Sequence, residues 1–133
     1  MSKKILVVDD EQSVRDFFQL VLPAEGYEVA LAANGAEALL KAQNERPDLI
    51  LLDWMMPLMD GLTTLKILKG NATTRDIPVV MLTAKQQPHD FAEASVEGAD
   101  AYIAKPFETE DVLALVRRFF EAEAEGEWSM VNR

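Results

Sequence analysis

Five polar residues stand directly after short apolar segments of the chain. Asp9 and Asp10 follow the first segment, Asp53 the third, Thr83 the fourth and Lys105 the fifth. Together they offer three carboxylates, a hydroxyl and an ammonium group. An ionised carboxylate beside an apolar core is costly unless it is paired. These side chains can therefore do chemistry only if the fold brings the segment ends together.

Three adjacent carboxylates cannot all stay ionised unless a cation joins them or the pKa of one rises sharply. Oxygen ligands of this kind select Mg²⁺, which proteins hold with one or two carboxylates, waters and a phosphate oxygen. A carboxylate beside a metal ion, a lysine and a hydroxyl can accept a phosphoryl group as an aspartyl phosphate. The cations neutralise charge on the transferring group, and positioning supplies most of the remaining rate. We therefore expect Asp53 to be a nucleophile.

Each of these residues also has an ordinary structural explanation. Asp10 could cap a helix, Asp53 could be a solvated loop acid, Thr83 a turn former and Lys105 a surface lysine. Taken singly, these explanations are favoured, because polar residues at loop starts are routine. It is their shared position at segment ends that favours a site.

The apolar segments alternate with amphipathic ones, a pattern typical of β/α units around a parallel sheet. The predicted strands cover Ile5–Val8, Glu28–Ala32, Asp48–Leu52, Val79–Leu82 and Ala101–Ala104. The predicted helices cover Gln12–Leu22, Gly35–Asn44, Leu62–Lys69, Asp90–Glu97 and Glu110–Glu123. The first, third and fourth strands are solidly apolar, as in a sheet covered on both faces, whereas the second is predicted nearer an edge. In such α/β folds ligands bind at the carboxyl ends of the strands, so we expect the five polar side chains to converge there.

Several element boundaries are marked by their own chemistry. Asn34 followed by Glu37 predicts a capping box at the second helix, and Asp60 is predicted to cap the third. Gly98 stands where a left-handed residue would end the fourth helix. Pro23 is predicted to end or bend the first, because it lacks an N–H donor.

The composition indicates one soluble domain. The chain has 133 residues, no cysteine, a formal charge of −10 and a pI near 4.5. Disulfides and thiolate metal sites are therefore excluded. No apolar run approaches the roughly 20 residues that span a bilayer, and no signal peptide is evident. We expect a cytoplasmic protein without membrane insertion, and without a nucleic-acid partner, since phosphates would repel its acidic surface.

Four motifs, "ILVVDDE", "DLILLDWMMPLMDG", "IPVVMLTA" and "GADAYIAKPF", occur in order on the predicted strands. Through them the chain resembles the response-regulator receiver domains of two-component signalling, in the single-domain form of chemotaxis regulators. The resemblance covers about residues 3 to 121. It implies a flavodoxin-like, doubly wound (βα)5 fold, with a five-stranded parallel sheet in the order 2-1-3-4-5. We expect a receiver domain over residues 1–121 and a short, frayed acidic tail over residues 122–133.

The resemblance also implies roles for the site residues. Asp53 would be the phosphoacceptor, and the metal ion would be Mg²⁺, with Mn²⁺ as a substitute. The metal ligands would be Asp53 and Asp10 directly, Asp9 through water, and the backbone carbonyl of Trp54. The side chains of Thr83 and Lys105 would contact the phosphoryl group, and the backbone N–H groups of Met55 and Ala84 would donate hydrogen bonds to it. Thr83 and Tyr102 would act as the conformational switch, and Met55 and Lys85 would tune the lifetime of the phosphorylated state. The peptide bond before Pro106 would be cis.

The partners implied are a sensor histidine kinase or histidine phosphotransfer protein, and a downstream target. The target would bind the face formed by the fourth helix, fifth strand and fifth helix once the domain is phosphorylated. On that face Ala101 and Leu115 stand where dimerising relatives have an ion pair, so a different protein is expected there instead of a symmetric dimer. The unphosphorylated protein is expected to be a monomer.

Three alternatives remain open. The free-standing interpretation is favoured, and the alternative is the receiver part of a longer regulator with a separate output domain. As a receiver it would catalyse only its own phosphorylation and dephosphorylation. A Mg²⁺-dependent phosphatase with an aspartate nucleophile would want a second acid two residues after Asp53, where Met55 stands. A flavin carrier of similar topology would need a Ser/Thr/Gly phosphate loop, but "DDEQS" is acidic.

Overall fold

Strands and helices alternate along the whole of the computed structural model, which describes residues 2–84 and 88–125. In chain order they are β1 (Lys4–Val8), α1 (Gln12–Ala24), β2 (Glu28–Ala32), α2 (Gly35–Glu45), β3 (Leu49–Asp53), α3 (Gly61–Gly70), β4 (Val79–Thr83), α4 (Pro88–Val96), β5 (Ala101–Ala104) and α5 (Thr109–Glu125). Each predicted element is present, and its ends differ from the predicted ones by two residues at most.

The five strands form one parallel sheet in the order β2-β1-β3-β4-β5. This confirms the predicted fold class and strand order. Every residue of β3 and β4 is buried, whereas β2 lies at an edge and is mostly half-buried. The solidly apolar segments are thus the central strands, because both of their faces are covered.

Helices cover both faces of the sheet, giving three layers. Successive strand residues point to opposite faces, so β1 sends Ile5 and Val7 to one side and Leu6 and Val8 to the other. The Ile5 side packs against apolar residues of α1 and α5, and the Leu6 side against those of α2, α3 and α4. The apolar clusters on the two faces of the sheet pack against the strands and so fix the positions of their carboxyl ends.

The predicted boundary signals are largely confirmed. Asn34 Oδ1 accepts a hydrogen bond from the Glu37 N–H at 2.8 Å, as the predicted capping box requires, whereas Glu37 Oε1 accepts at 2.9 Å from the N–H of Ala33, one residue before the N-cap. Asp60 Oδ1 accepts from the Thr63 N–H at 2.9 Å. Gly98 follows α4 with φ +107°. Pro23 lies in the last turn of α1, and the helix ends one residue later.

Of the predicted tail, residues 122–133, the structure describes residues 122–125. The helix α5 continues to Glu125, because alanine and glutamate, which alternate here, are good helix formers. Trp128 and the rest of the tail lie outside the described residues. Within the described part of the chain, no helix combines the length and the apolar character that a bilayer crossing requires.

Candidate functional site

A lysine bridges two acids that are far apart in sequence. Lys105 Nζ donates to Asp9 Oδ2 at 2.8 Å and to Asp53 Oδ1 at 3.1 Å. Both carboxylates are buried, and the lysine side chain is 19% exposed. The sheet therefore brings the ends of β1, β3 and β5 together, as predicted from the strand pattern.

The three predicted acids form one cluster at this edge of the sheet. Carboxylate oxygens of Asp9, Asp10 and Asp53 all lie within 4.8 Å of one another. Asp9 and Asp53 are buried, and Asp10 is exposed. Such a set of hard oxygen donors with one side open to water fits Mg²⁺, which keeps several of its waters when bound.

The environment of Asp53 raises its pKa from 3.8 to about 7. The main cause is burial, followed by the negative charge of Asp9, and the nearby Lys105 opposes both. For Lys105, burial lowers the pKa, but the hydrogen bond and charge of Asp9 and the charge of Asp53 outweigh it, so the pKa is raised. Lys105 therefore stays a charged ammonium group. The proximity of the acids contributes to the raised pKa of Asp53, as expected for a cluster of carboxylates.

Asp9 is held through all of its polar groups. Its N–H donates to the Ala32 carbonyl at 3.1 Å, and Oδ1 accepts from the Glu11 N–H at 3.0 Å. Its carbonyl accepts from Arg15 Nη1 at 2.6 Å, and Oδ2 accepts from Lys105. Asp9 is therefore a fixed part of the framework.

Asp10 differs from the helix cap that the sequence left as an alternative. The N-cap residue of α1 is Glu11, in extended conformation and without a side-chain capping bond. Asp10 precedes it and is exposed, with its carboxylate in the acid cluster. Its position is that of a ligand open to solvent.

A glycine at the start of α3 allows close packing against the phosphoacceptor candidate. A Cβ at Gly61 would lie 2.2 Å from the Asp53 carbonyl oxygen and 2.7 Å from Trp54 Cα, both backbone atoms. The Gly61 N–H donates to the Trp54 carbonyl at 2.8 Å, and the Trp54 N–H donates to Leu82 O at 3.0 Å. These contacts fix the backbone that carries Asp53. The sequence indicated only a turn at Asp60-Gly61, and no pattern in it shows this packing.

The segment after β3 carries two predicted backbone roles. The carbonyl of Trp54, a predicted metal ligand, accepts the Gly61 N–H at 2.8 Å. The side chain of Met55 is 60% exposed beside the site. Leu58, in the same segment, is fully exposed with φ +69°.

The other side of the site is formed by the ends of β4 and β5. Thr83 is buried, and its carbonyl accepts from the Lys105 N–H at 2.8 Å. The peptide bond between Lys105 and Pro106 is cis, as the resemblance implies. Ala84, the predicted N–H donor, is exposed. Lys85, predicted to tune the phosphoryl lifetime, lies outside the described residues.

A cavity of about 440 Å³ lies between β5 and α5. Tyr102, the predicted switch residue, is half-buried and lines it together with Leu115. Charged residues, including Asp111 and Arg118, also line it. Leu115 is half-buried and packs against the core beneath α5, so it adds little exposed apolar surface to this face.

A second cavity, of about 530 Å³, adjoins the acid cluster. Val14 and Phe17 of α1 line it on one side, and Pro106 and Phe107 on the other. Lys105 also lines it, so an apolar groove leads from the surface to the bridging ammonium.

The chain matches a family model described as "Response regulator receiver domain" over residues 5–117. It is 43% identical over 117 residues to the phosphate regulon transcriptional regulatory protein PhoB of Klebsiella pneumoniae. That match covers 88% of this chain and 51% of PhoB, so the chain spans about half the length of this curated relative.

Solved structures of separate receivers are also similar. The chemotaxis protein CheY4 of Vibrio cholerae has a TM-score of 0.85 and 37% identity, covering 89% of this chain and 98% of CheY4. The receiver domain of the sensor histidine kinase PA1611 of Pseudomonas aeruginosa has a TM-score of 0.80 and 29% identity, covering 89% and 97% of the two chains. In the latter, a magnesium ion is coordinated in the active-site cleft.

Proposed function

This chain belongs to the response regulator receiver domain family of two-component systems, and we propose that Asp53 accepts a phosphoryl group from a histidine kinase or histidine phosphotransfer protein. The observation that carries the proposal is the contact of Lys105 with both Asp9 and Asp53. It places a carboxylate, a fixed positive charge and further acids at one point, as phosphoryl transfer to an aspartate requires.

Asp53 must be ionised to attack phosphorus. With its pKa raised to about 7, the carboxylate is basic enough to be a better nucleophile than an exposed aspartate, yet it is still ionised in part at neutral pH. A bound Mg²⁺ would supply positive charge that favours the ionised form and neutralises phosphoryl oxygens. We propose that Asp10 and Asp53 bind the Mg²⁺ directly and that Asp9 binds it through water. The backbone carbonyl of Trp54 is the further ligand that we propose.

The remaining residues are proposed to bind the phosphoryl group. Lys105 would exchange one of its carboxylate contacts for a phosphoryl oxygen, and the Thr83 hydroxyl would donate to another. The N–H groups of Met55 and Ala84 would complete the set of donors. Movement of Thr83 toward the phosphoryl group would open space for Tyr102, which is half-buried and lines the cavity beside α5.

The output is proposed to pass through the face of α4, β5 and α5, which contains Tyr102 and that cavity. PhoB, a transcriptional regulatory protein, is matched by this chain over 51% of its length, whereas CheY4 is matched over 98%. The partner at this face is therefore either another protein or a further domain of a longer regulator. In the second case the regulator as a whole could have a nucleic-acid target, and only the acidic receiver itself is proposed to lack one.

The test is phosphorylation with a small donor. Wild-type protein, Asp53→Asn and the control Asp76→Asn would be incubated with Mg²⁺ and radiolabelled acetyl phosphate. Asp76 is exposed in the α3–β4 loop, away from the acid cluster, so its variant should be labelled like wild type. Asp53→Asn should take up no label. Labelling of Asp53→Asn at the wild-type rate would refute the proposal, and steady turnover of a phosphate ester would favour the phosphatase alternative.

A further inference from the structure

Arg15 reaches back from the first turns of α1 to the loop that carries two of the acids. Its Nη1 donates to the Asp9 carbonyl at 2.6 Å. That carbonyl belongs to the peptide unit that joins Asp9 to Asp10. From this contact we infer that Arg15 is a positioning residue that holds Asp10 in the orientation for binding a divalent cation. The inference rests on the function proposed above, because it concerns the same site.

The guanidinium is itself held in place. Arg15 Nη2 donates to Gln12 Oε1 at 2.8 Å, and Gln12 Nε2 donates to Asp16 Oδ1 at 2.8 Å. A planar guanidinium with two fixed donors keeps its direction better than a single ammonium does. The three side chains thus form a chain of hydrogen bonds along α1 that ends on the Asp9 carbonyl.

Asp10 needs such support more than Asp9 does. The carboxylate of Asp9 is fixed by the Glu11 N–H and by Lys105, whereas Asp10 is exposed. The side chain of Asp10 also shares a hydrogen bond with Asp53, and the peptide unit before Asp10 sets the backbone position from which its carboxylate reaches that neighbour. Groups that orient a metal ligand without touching the metal commonly change metal affinity 10- to 100-fold when they are removed.

The charge of Arg15 acts in the opposite direction. A positive charge close to a cation site repels the cation, so removing it would strengthen cation binding if charge were its only influence. If Arg15 served only the stability of α1, its removal would lower the melting temperature and leave cation affinity unchanged. The sign of the change in affinity therefore separates the three roles.

The experiment uses Mn²⁺ as the probe, with free Mn²⁺ measured by electron paramagnetic resonance and Mg²⁺ added as competitor. Arg15→Ala should bind Mn²⁺ roughly 10-fold more weakly than wild type. Arg15→Lys keeps the charge and one donor, so it should lie between the two. The control Arg75→Ala removes an exposed arginine in the α3–β4 loop and should bind like wild type. Melting curves without metal would show that each variant is folded.

Affinity of Arg15→Ala equal to or higher than that of wild type would overturn the inference, as would weaker binding by Arg15→Lys than by Arg15→Ala. If wild type itself bound no Mn²⁺, the proposed function would fail first. As a second readout, labelling of Arg15→Ala by acetyl phosphate should approach the wild-type rate at saturating Mg²⁺. A rate that stayed low at saturation would show that Arg15 acts on phosphoryl transfer instead of metal binding, and would refute the positioning role.

Discussion

Replacing Asp53 by asparagine should stabilise the metal-free protein above neutral pH. The folded environment raises the pKa of Asp53 from 3.8 to about 7, a change of roughly three units. Each unit corresponds to about 1.4 kcal/mol, so ionising Asp53 in the folded state costs up to about 4 kcal/mol of stability. Asparagine has nearly the same shape and cannot ionise, so the variant avoids that loss.

The sign follows from where the proton is held. Between pH 3.8 and about 7 the folded protein keeps a proton on Asp53 that the unfolded chain has lost. The free energy of unfolding therefore falls as pH rises through this window and levels off above it. The part of this window that lies above pH 5 extends over about two pH units. Between pH 5 and pH 8 the ionisation of Asp53 should therefore lower the free energy of unfolding by roughly 3 kcal/mol.

The assay is urea unfolding in the presence of EDTA at pH 5 and pH 8. Other groups titrate in this range too, so the informative quantity is the difference between wild type and Asp53→Asn at each pH. That difference should be larger at pH 8 by roughly 3 kcal/mol. Asp76→Asn, which removes an exposed carboxylate, should show no such change. If wild type and Asp53→Asn lost stability in parallel between the two pH values, the reasoning would be wrong.

The remaining predictions concern the same site. Asp10→Asn should stabilise the metal-free protein by about 1 kcal/mol, and so raise its melting temperature, because it relieves repulsion in the acid cluster. The variant should also lose Mg²⁺ binding. A lower melting temperature together with normal Mg²⁺ binding would contradict this prediction. Gly61→Ala should destabilise by about 1–3 kcal/mol or more because its Cβ would meet backbone, whereas Gly70→Ala, with open space around its Cβ, should not. The phosphorylated protein should persist for minutes or longer, and Met55→Asn/Lys85→Glu should lose phosphate at least about 10-fold faster, a change equivalent to about 1.4 kcal/mol in the barrier; equal decay rates after donor removal would refute it. With beryllofluoride, sedimentation should show a monomer, and a tight homodimer would overturn the expectation of a different partner protein.

Most of the fold could be predicted from local patterns. The apolar segments at β1, β3 and β4 are short and bounded by polar residues, so they predicted central strands and the residues at their carboxyl ends. The alternation in β2 predicted an edge strand, and Asn34 and Asp60 predicted helix starts. These features were predictable because burial and capping depend on residues close together in the chain.

The features that the sequence did not predict depend on how separate helices and strands pack against one another. Nothing in the sequence indicates that Arg15 bonds the carbonyl of Asp9 instead of a carboxylate, since this follows from how α1 leaves β1. The tight packing of Gly61 on Asp53 depends on the angle at which α3 returns to the sheet. The half-burial of Leu115 is of the same kind, because its helical position lies at the margin of the core-facing stripe. Periodicity does not determine on which side of that margin a residue lies.

Three carboxylates of similar intrinsic acidity acquire different properties here from their surroundings. Asp9 is buried and bonded at each polar group, which suits a structural role that also keeps Lys105 charged. Asp53 is buried with fewer favourable contacts, and its raised pKa suits a nucleophile. Asp10 is exposed, so a hydrated cation can reach it first. The three environments fit the roles proposed for these acids, namely framework, nucleophile and entry point, as differing surroundings divide paired carboxylates in other active sites. A substitution that equalised these environments, even with all three aspartates retained, would therefore remove the function.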